Sequence, residues 1–471
     1  MFEVNEVALE LGRLFKDAGF ELALVGGSVR DVILQRESDD LDFTTNAEPE
    51  QTLRVLRPFV DDIWDIGKKF GTIGGNKTAN GETVKIEITT YRTDEYDPES
   101  RKPLVKYGKT IESDLSRRDF TVNSIALRLP ELELVDPFNG ISDIAQQILR
   151  TPIEPEKSFD DDPLRMMRAV RFISTLGFSI ETETASAILK MANRLEIVSK
   201  ERIRDEFCKL LMGDDPARGI EEMIGFGLND FVIPELEELK MEIDPAHHHK
   251  DVYDHSLKVL QNAISLEEKY LGGKDLTMRL TALLHDIGKP VTRKFESGNK
   301  VSFRLHDVVG AKIAKSRLQT LKFDKQTISS VEKLIELHMR FYGYGDVKWT
   351  DSAVRRYVVD AGDELARLHV LTRSDVTTKN ANKANRLANA YDDIEERIVK
   401  IKEQEQFEKI RPDLDGNEIK TLLNIDQDNP KERWKIGKAY KYMLSYRIEN
   451  GPVSKEQAAE ILLHWAKENL P

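Results

Sequence analysis

Gly26-Gly27-Ser28-Val29-Arg30-Asp31, followed by Asp40-Leu41-Asp42, is the stretch on which the reading of this chain turns. The residues from Phe20 to Val25 read as a strand that the glycine pair breaks. Val29 to Leu34 reads as a helical turn, and Leu41 to Thr44 as a short extended segment. Carboxylates two residues apart in a strand leave from one face, with Leu41 and Phe43 on the other. Like charges this close repel, so Asp40 and Asp42 make most sense around divalent cations. Val84 to Tyr91 alternates, with Val84, Ile86 and Ile88 on one face and Lys85, Glu87 and Thr89 on the other. Glu87 can therefore supply a third carboxylate. Three such residues suit two Mg²⁺ ions about 4 Å apart, the clamp for in-line displacement at phosphorus. Asp40, Asp42 and Glu87 are the expected catalytic residues, with Asp40 and Asp42 as Mg²⁺ ligands. At Gly26, Gly27 and Ser28 the backbone can approach a phosphate closely, at the free N–H groups of a helix start. Alone, a Gly-Gly is an ordinary strand-to-helix turn, and it is the Asp-x-Asp pair downstream that changes its meaning.

Outward from this stretch, residues 1 to about 150 alternate helix and strand signals. Beyond it the pattern is almost wholly helical: Pro163–Leu176, Glu181–Arg194, Ile203–Leu211, Leu276–Ile287, Ser329–His338 and Tyr391–Gln404. The expected fold is α+β, a small mixed sheet with helices followed by a long all-α body. The expected domains are a head at 1–150, a helical neck at 151–243, a metal-binding helical domain at 244–390 and a helical tail at 391–471. Asp214-Asp215-Pro216 and Asp244-Pro245-Ala246 are the best internal boundaries. A length of 471 residues fits roughly three or four packed units.

Charged residues make up 32% and hydrophobic ones 40%, an ordinary balance for a globular protein. Cys208 is the single cysteine, which excludes an intramolecular disulfide and fits a reducing cytoplasm. Met1-Phe2-Glu3 has no secretory signal character, and no apolar run reaches the ~18 residues of a membrane span. A net charge of −13 argues against general nucleic-acid binding but leaves room for local basic surfaces. One such surface lies between Pro430 and Arg447, where Lys431, Arg433, Lys435, Lys438, Lys441 and Arg447 interleave with Trp434, Tyr440, Tyr442 and Tyr446. The same pattern also describes a helix with buried aromatics and solvated lysines. Lys379, Lys383 and Arg386 form a second basic group.

Two further constellations carry chemistry. Asp162 before Pro163 reads as a helix N-cap, with Arg165 and Arg168 on a solvated face. A carboxylate and a guanidinium can equally meet the Watson–Crick edge of a base, one accepting and the other donating hydrogen bonds. His255, His285-Asp286, His306, His338 and Asp375 offer imidazole and carboxylate ligands for a transition metal or Mg²⁺. Gly288 and Pro290 read as the stop after the helix that carries His285-Asp286. The triplet His247-His248-His249 reads as a loop feature, since neighbouring residues point in different directions.

These motifs, in this order, resemble the class II tRNA nucleotidyltransferase and bacterial poly(A) polymerase family of the polymerase-β-type superfamily. The likeness rests on the Gly26–Asp31 run with Asp40-Leu41-Asp42, on Arg117-Arg118-Asp119-Phe120-Thr121-Val122-Asn123 and on Asp136-Pro137-Phe138-Asn139-Gly140. It continues through Asp161-Asp162-Pro163-Leu164-Arg165-Met166-Met167-Arg168-Ala169 and Glu201-Arg202-Ile203 to Leu210-Leu211. The remainder is similar to actinobacterial-type CCA-adding enzymes with an HD domain.

The resemblance implies template-independent addition or repair of the 3′-terminal CCA of tRNA from CTP and ATP. It implies nucleotide binding by Gly26, Gly27, Ser28, Arg30, Arg117, Arg118, Asp119, Asn123, Asp162, Arg165 and Arg168, with Asp162 and Arg165 selecting C and A. The expected partners are the tRNA 3′ end, CTP and ATP, with no membrane. In the HD superfamily His255, His285, Asp286 and Asp375 would form a first metal site, and His306 and His338 would complete a second. The implied cofactors are Mg²⁺ in the head and Mg²⁺, Mn²⁺ or Ni²⁺ in the HD site, which would hydrolyse phosphomonoesters or 2′,3′-cyclic nucleotides. A poly(A) polymerase, or an enzyme adding only CC or only A, shares the head motifs. The segment from Thr93 to Gly108, with Arg101 and Lys102, lies where CCA-adding members keep the loop used in the switch to A. An HD phosphohydrolase with an RNA-binding head is the reading of another class, and the intact carboxylates argue against it.

Overall fold

The computed structural model describes residues 4–36, 40–65, 67, 71–79, 81–95, 104–108, 110–241, 251–296, 300–341, 344, 349–378, 380–405, 410–426 and 432–470. His247-His248-His249, Arg101, Lys102, Lys379, Lys431 and the Asp244-Pro245-Ala246 boundary lie outside them. The chain divides into two compact units, Met1–Val232 and Ile233–Pro471.

The first unit opens with α1 (Glu6–Asp17), whose Val7, Leu11 and Phe15 recur at helical spacing and are buried. The Asn5 side chain caps it by accepting from the Val7 N–H. There follow β1 (Leu22–Val25), α2 (Gly27–Ile33), β2 (Asp40–Thr45), α3 (Pro49–Leu56), β3 (Asp62–Trp64), β4 (Thr72–Ala79) and β5 (Glu82–Thr90). A separate antiparallel pair, β6 (Arg92–Glu95) with β7 (Leu104–Tyr107), precedes α4 (Ile111–Ser116), β8 (Ala126–Leu129) and β9 (Glu133–Val135).

Seven strands form one sheet in the order β3-β4-β5-β2-β1-β8-β9. Only β2 and β5 run parallel, so the sheet is mixed, as the alternating pattern of the first 150 residues implies. Leu41, Phe43, Ile73, Ile86 and Ile88 are buried on one face. On the other, α4 covers one end of the sheet with Ile111 and Leu115, against Ala23, Val25, Tyr91 and Ala126.

The neck continues with α5 (Gly140–Gln146), β10 (Ile148–Leu149), α6 (Pro155–Asp161), α7 (Leu164–Leu176), β11 (Ser179–Ile180), α8 (Thr182–Met191), α9 (Lys200–Leu211) and α10 (Pro216–Gly225). Asp214 and Asp215 make a tight turn here, both N–H groups donating to the Ser174 carbonyl, and the Asp215 side chain caps α10. That segment is an internal turn of the first unit, not a boundary.

The second unit holds α11 (Glu235–Glu238), α12 (Val252–Leu271), α13 (Leu276–Leu284), α14 (Lys289–Thr292), the hairpin β12 (Lys294–Glu296) and β13 (Lys300–Ser302), α15 (His306–Thr320) and α16 (Lys325–Leu337). Then come α17 (Asp351–Ala361), α18 (Leu365–Ser374), α19 (Ala381–Gln404), α20 (Gly416–Leu422), α21 (Arg433–Asn450) and α22 (Lys455–Asn469). Gly288 opens α14 with Pro290 in its first turn, where the sequence reading has it as a stop. Helix α19 runs unbroken through position 390, where a domain boundary was expected. The last three helices enclose a small core of Leu414, Ile419, Ala439, Met443, Ala458 and Leu462. No helix among the described residues is long and apolar enough to cross a membrane.

Candidate active sites

The head site is built on the parallel pairing of β2 with β5, which sets Asp42 directly beside Glu87 and Asp40 beside Lys85. Cross-strand partners share a face, so Asp40, Asp42 and Glu87 are brought together as the alternation requires. Lys85 Nζ lies 2.7 Å from a Glu87 carboxylate oxygen. The Asp42 carboxyl is pushed above the usual carboxylate range by burial of its charge, with Glu87 and Asp40 adding to the rise and Arg118 opposing it. A bound cation would relieve that crowding, and an all-oxygen donor set fits Mg²⁺.

Ser28 fixes the turn to the strand. Its hydroxyl donates to the Asp40 carbonyl and accepts from the Asp42 N–H, both at 3.0 Å. Gly26 has φ +69°, and a Cβ there would stand 3.0 Å from an Arg118 guanidinium nitrogen, so the turn requires glycine.

A cavity of about 610 Å³ opens at this turn, lined by Gly26, Gly27, Arg30, Asp42, Arg118, Asp119, Asn123, Arg168, Arg171, Phe172 and Lys209 among others. Most of its cations are already held by carboxylates. Arg30 is tied to Asp31 and to Asn123 Oδ1, the latter at 2.7 Å. Asp119 accepts from the Phe120 N–H, Asn123 and Arg168, and Arg168 holds its carboxyl far below the ordinary value despite burial. Glu206 stands 3.5 Å from Arg168 and 3.1 Å from Arg171, and all three arginines Arg30, Arg168 and Arg171 lie over the Phe172 ring. Burial, with Arg168 nearby, lowers Arg171 to about 10.

Four expected nucleotide contacts do not line this cavity: Ser28, Arg117, Asp162 and Arg165. Arg117 turns inward to Asp114, with two N–H groups on Oδ1 at 3.0 and 2.6 Å. Asp162 ends α6, and Pro163 rather than Asp162 is the N-cap of α7; the Asp162 carboxylate accepts from the Leu164 N–H at 3.2 Å and from Arg202 at 2.9 Å. Arg165 is buried and donates to the Ser158 carbonyl and hydroxyl and to the Arg117 carbonyl.

Sequence reasoning missed Asp114, Arg171 and Glu206. Asp114 is fully buried and holds Arg117, Arg118 and Thr44 together. Arg171 carried a usable signal, since it follows Arg168 by three residues on the same helix face.

The second site belongs to the second unit, where helix ends converge. His255 sits in the first turn of α12, His285 ends α13, His306 begins α15, His338 ends α16 and Asp375 ends α18. Nδ1 of His285, His306 and His338 each meets the carbonyl three residues earlier, of Ala282, Phe303 and Ile335, at 2.9, 2.8 and 2.6 Å. Nε2 is thereby aimed inward, which is how ligating histidines are oriented.

Asp286 stands between two sets. Its Oδ2 is 3.2 Å from His285 Nε2 and 3.5 Å from His255 Nε2, and its Oδ1 is 3.4 Å from His306 Nε2 and 4.0 Å from His338 Nε2. Asp375 lies 2.9 Å from His255. The six expected residues are brought together, and two groups have metal-ligand spacing: His255, His285 and Asp286, and Asp286, His306 and His338. His285 Nε2 is buried, with the Asp286 carboxylate 3.2 Å away but no well-aligned hydrogen bond, a position that a metal would satisfy. Burial and His285 lower His338 to about 4, so its imidazole is neutral, the ligating form, at pH 7.

The C-terminal basic stretch divides. Trp434 is exposed, and the Lys438 ammonium lies over it at 5.6 Å. Tyr442 stacks on Trp465 at 4.5 Å. Arg447 does not face solvent: it is buried and paired with Asp413 and Glu405.

Residues 22–150 match the "Poly A polymerase head domain", residues 177–240 the "Probable RNA and SrmB-binding site of polymerase A" and residues 252–403 the HD domain. The chain is 31% identical over 454 residues to an A-adding tRNA nucleotidyltransferase of Deinococcus radiodurans, covering 95% of this chain and 96% of that one. A CCA-adding enzyme of Geobacillus sp. is 38% identical over 52% of this chain, which spans 59% of that relative's length. The fold is that of the Bacillus stearothermophilus CCA-adding enzyme solved in complex with CTP, at a TM-score of 0.65 and 22% identity over 99% of both chains. Head carboxylates, neck and HD domain thus occur together in a chain that belongs to the tRNA nucleotidyltransferase family and is a nucleotidyltransferase.

Proposed function

We propose that this chain adds or repairs the 3′-terminal CCA of tRNA from CTP and ATP, without a template. The observation that carries the reading is the register that sets Asp42 beside Glu87 at the mouth of an arginine-rich cavity. Asp40, Asp42 and Glu87 would hold Mg²⁺, which when bound supplies activation of the 3′-hydroxyl and neutralisation of the triphosphate. Arg118, Arg168 and Arg171 offer N–H groups to the triphosphate from the cavity wall. The RNA O3′–Pα bond forms as the bond from Pα to the pyrophosphate oxygen breaks.

Asp162 and Arg165 are the base-reading pair in this proposal. To meet a base, Asp162 exchanges Arg202, and Arg165 exchanges Ser158 and the Arg117 carbonyl, for the Watson–Crick edge. A tRNA end, CTP and ATP are the partners, and the HD centre hydrolyses phosphomonoesters or 2′,3′-cyclic nucleotides with Mg²⁺, Mn²⁺ or Ni²⁺. Addition of A alone is a second reading, favoured by the likeness along nearly the whole chain to an A-adding enzyme.

The test is incubation with three tRNAs, ending before CCA, after C and after CC, each with CTP and ATP, followed by sequencing of the 3′ ends. Completion of CCA on all three is expected. Extension of the CC-ended tRNA alone would favour the second reading, and no extension by wild type would refute both. Asp40→Asn should abolish incorporation while HD hydrolysis persists.

A further inference from the structure

Trp64, on the carboxylate face of the head sheet, is an aromatic side chain that the transfer chemistry leaves unused. Following the register across three strand pairs gives one row: Asp42 beside Glu87, Glu87 beside Gly74, and Gly74 beside Trp64. Directly paired residues project from the same face, so Trp64 shares the face of the catalytic carboxylates. Gly74 confirms the direction of the ring. A Cβ added there would stand 2.3 Å from the Trp64 indole nitrogen and 2.4 Å from its neighbouring ring carbon. The indole therefore lies flat over the glycine, in the place where a side chain next to Glu87 would stand. One strand spacing, about 4.8 Å, separates that position from the Glu87 backbone.

The surroundings do not make this ring a core residue. Trp64 is half-buried, on an edge strand. The next row on the same face, Asp40, Lys85, Asn76 and Asp62, is polar throughout. The buried apolar residues Ile73, Ile86 and Ile88 point to the opposite face. An indole held over a glycine beside charged groups presents a flat apolar surface where the sheet has no need of one for packing.

We propose that Trp64 is a stacking platform for the terminal nucleotide of the RNA acceptor, placed to deliver the 3′-hydroxyl to Asp42 and Glu87. The triphosphate cavity opens at the Gly26 turn, on the β1 side of β2, whereas Trp64 lies on the β5 side. The two substrates of a transfer reaction must approach the carboxylates from different sides, and the β5 side is the one the cavity leaves to the acceptor. Stacking on an aromatic ring accepts any base, which suits an acceptor whose terminal residue changes with each addition. The inference rests on the nucleotidyl-transfer reading of the head.

The test compares Trp64→Leu and Trp64→Phe with wild type in steady-state extension of tRNA, varying tRNA and nucleotide separately. Trp64→Leu should raise the KM for tRNA about tenfold or more. The KM for nucleotide should stay within twofold, and Trp64→Phe should restore most of the tRNA affinity. An unchanged tRNA KM in Trp64→Leu overturns the proposal. So does an equal rise in both KM values, which would mark a general distortion of the sheet. As a measurement independent of any variant, wild-type protein is irradiated with tRNA carrying 4-thiouridine at its 3′ end. Cross-linking to the peptide containing Trp64 is expected, and cross-linking confined to other peptides overturns the assignment. If wild type extends no RNA, the transfer reading itself has failed, which the first control reveals separately.

Discussion

Replacing Asp114 by Asn should loosen the head from the inside. Oδ1 accepts two N–H groups of Arg117 at 3.0 and 2.6 Å, and Oδ2 accepts from Arg118 at 3.2 Å and from the Thr44 hydroxyl at 3.1 Å. Asparagine keeps one acceptor oxygen and turns the other into an amide donor. Whichever way the amide is set, its N–H groups confront a guanidinium. A hydrogen bond to a charged group contributes about 1.5–3 kcal/mol, and stripping one member from a buried ion pair costs about 3–5 kcal/mol. The side chains of Arg117 and Arg118 are 16% and 19% exposed, so water recovers part of the loss. About 3 kcal/mol is the expected destabilisation.

The pH dependence has a definite sign. Burial alone would raise the Asp114 carboxyl, but Arg117 and then Arg118 hold it below its ordinary value. A depressed carboxylate stabilises fully above its unfolded pKa, about 4, and loses that contribution as pH falls through the folded value. The gap between wild type and Asp114→Asn should therefore be constant from pH 7 to 5 and narrow in stronger acid. The chain has two units, so a single unfolding midpoint is a poor readout. Urea-dependent hydrogen exchange of peptides from β2 and α4, followed by mass spectrometry, reports the head alone. A loss below about 1 kcal/mol, or a gap that widens in acid, would refute the reasoning.

Two further outcomes are expected. His285→Ala should lower the bound Mn²⁺ of the dialysed protein, measured by elemental mass spectrometry, while nucleotide incorporation stays within twofold of wild type; undiminished metal would remove His285 from the ligand set. Arg279 and Glu267 are paired at 2.8 Å with side chains 1% and 3% exposed, so Arg279→Met should cost the second unit about 3–5 kcal/mol by urea-dependent exchange of α12 peptides. Adding Glu267→Gln should recover much of that loss, since the uncompensated buried charge is its main source.

The strands that carry the head carboxylates were legible because alternation is local: it runs from Asp40 to Phe43 in β2, before the buried Thr44 breaks it, and from Val84 to Thr90 in β5. Their register was not, because nothing within either segment states which residue of one faces which of the other. The six HD residues were legible from identity and order. What joins them is a repeated local device, a ring nitrogen on the carbonyl three residues back, which leaves no trace in composition. Asp114 looked like any acid in the first turn of a short helix, yet it is the buried anchor of two arginines. Arg447 misled in the opposite direction. It sits in a basic, aromatic stretch that reads as an RNA surface, but Asp413 and Glu405, distant in sequence, draw it inside. Asp162 and Arg165 were identified by motif, while their present partners, Arg202, Ser158 and the Arg117 carbonyl, are set by tertiary packing.

The hydroxyl of Ser28 solves a problem of sheet architecture. The pairing of β1 with β2 stops at Leu24 and Phe43, because the chain leaves the sheet to make the Gly26 turn. The backbone groups of Asp40 and Asp42 on that side have lost their neighbouring strand. Ser28 takes both of them, one as donor and one as acceptor, so a single side chain splices the frayed edge beside the carboxylates. Alanine would remove both bonds, whereas threonine keeps a hydroxyl that can donate one and accept the other. The cavity at the turn and the hydroxyl that ties down the end of β2 are thus encoded by neighbouring residues of one turn.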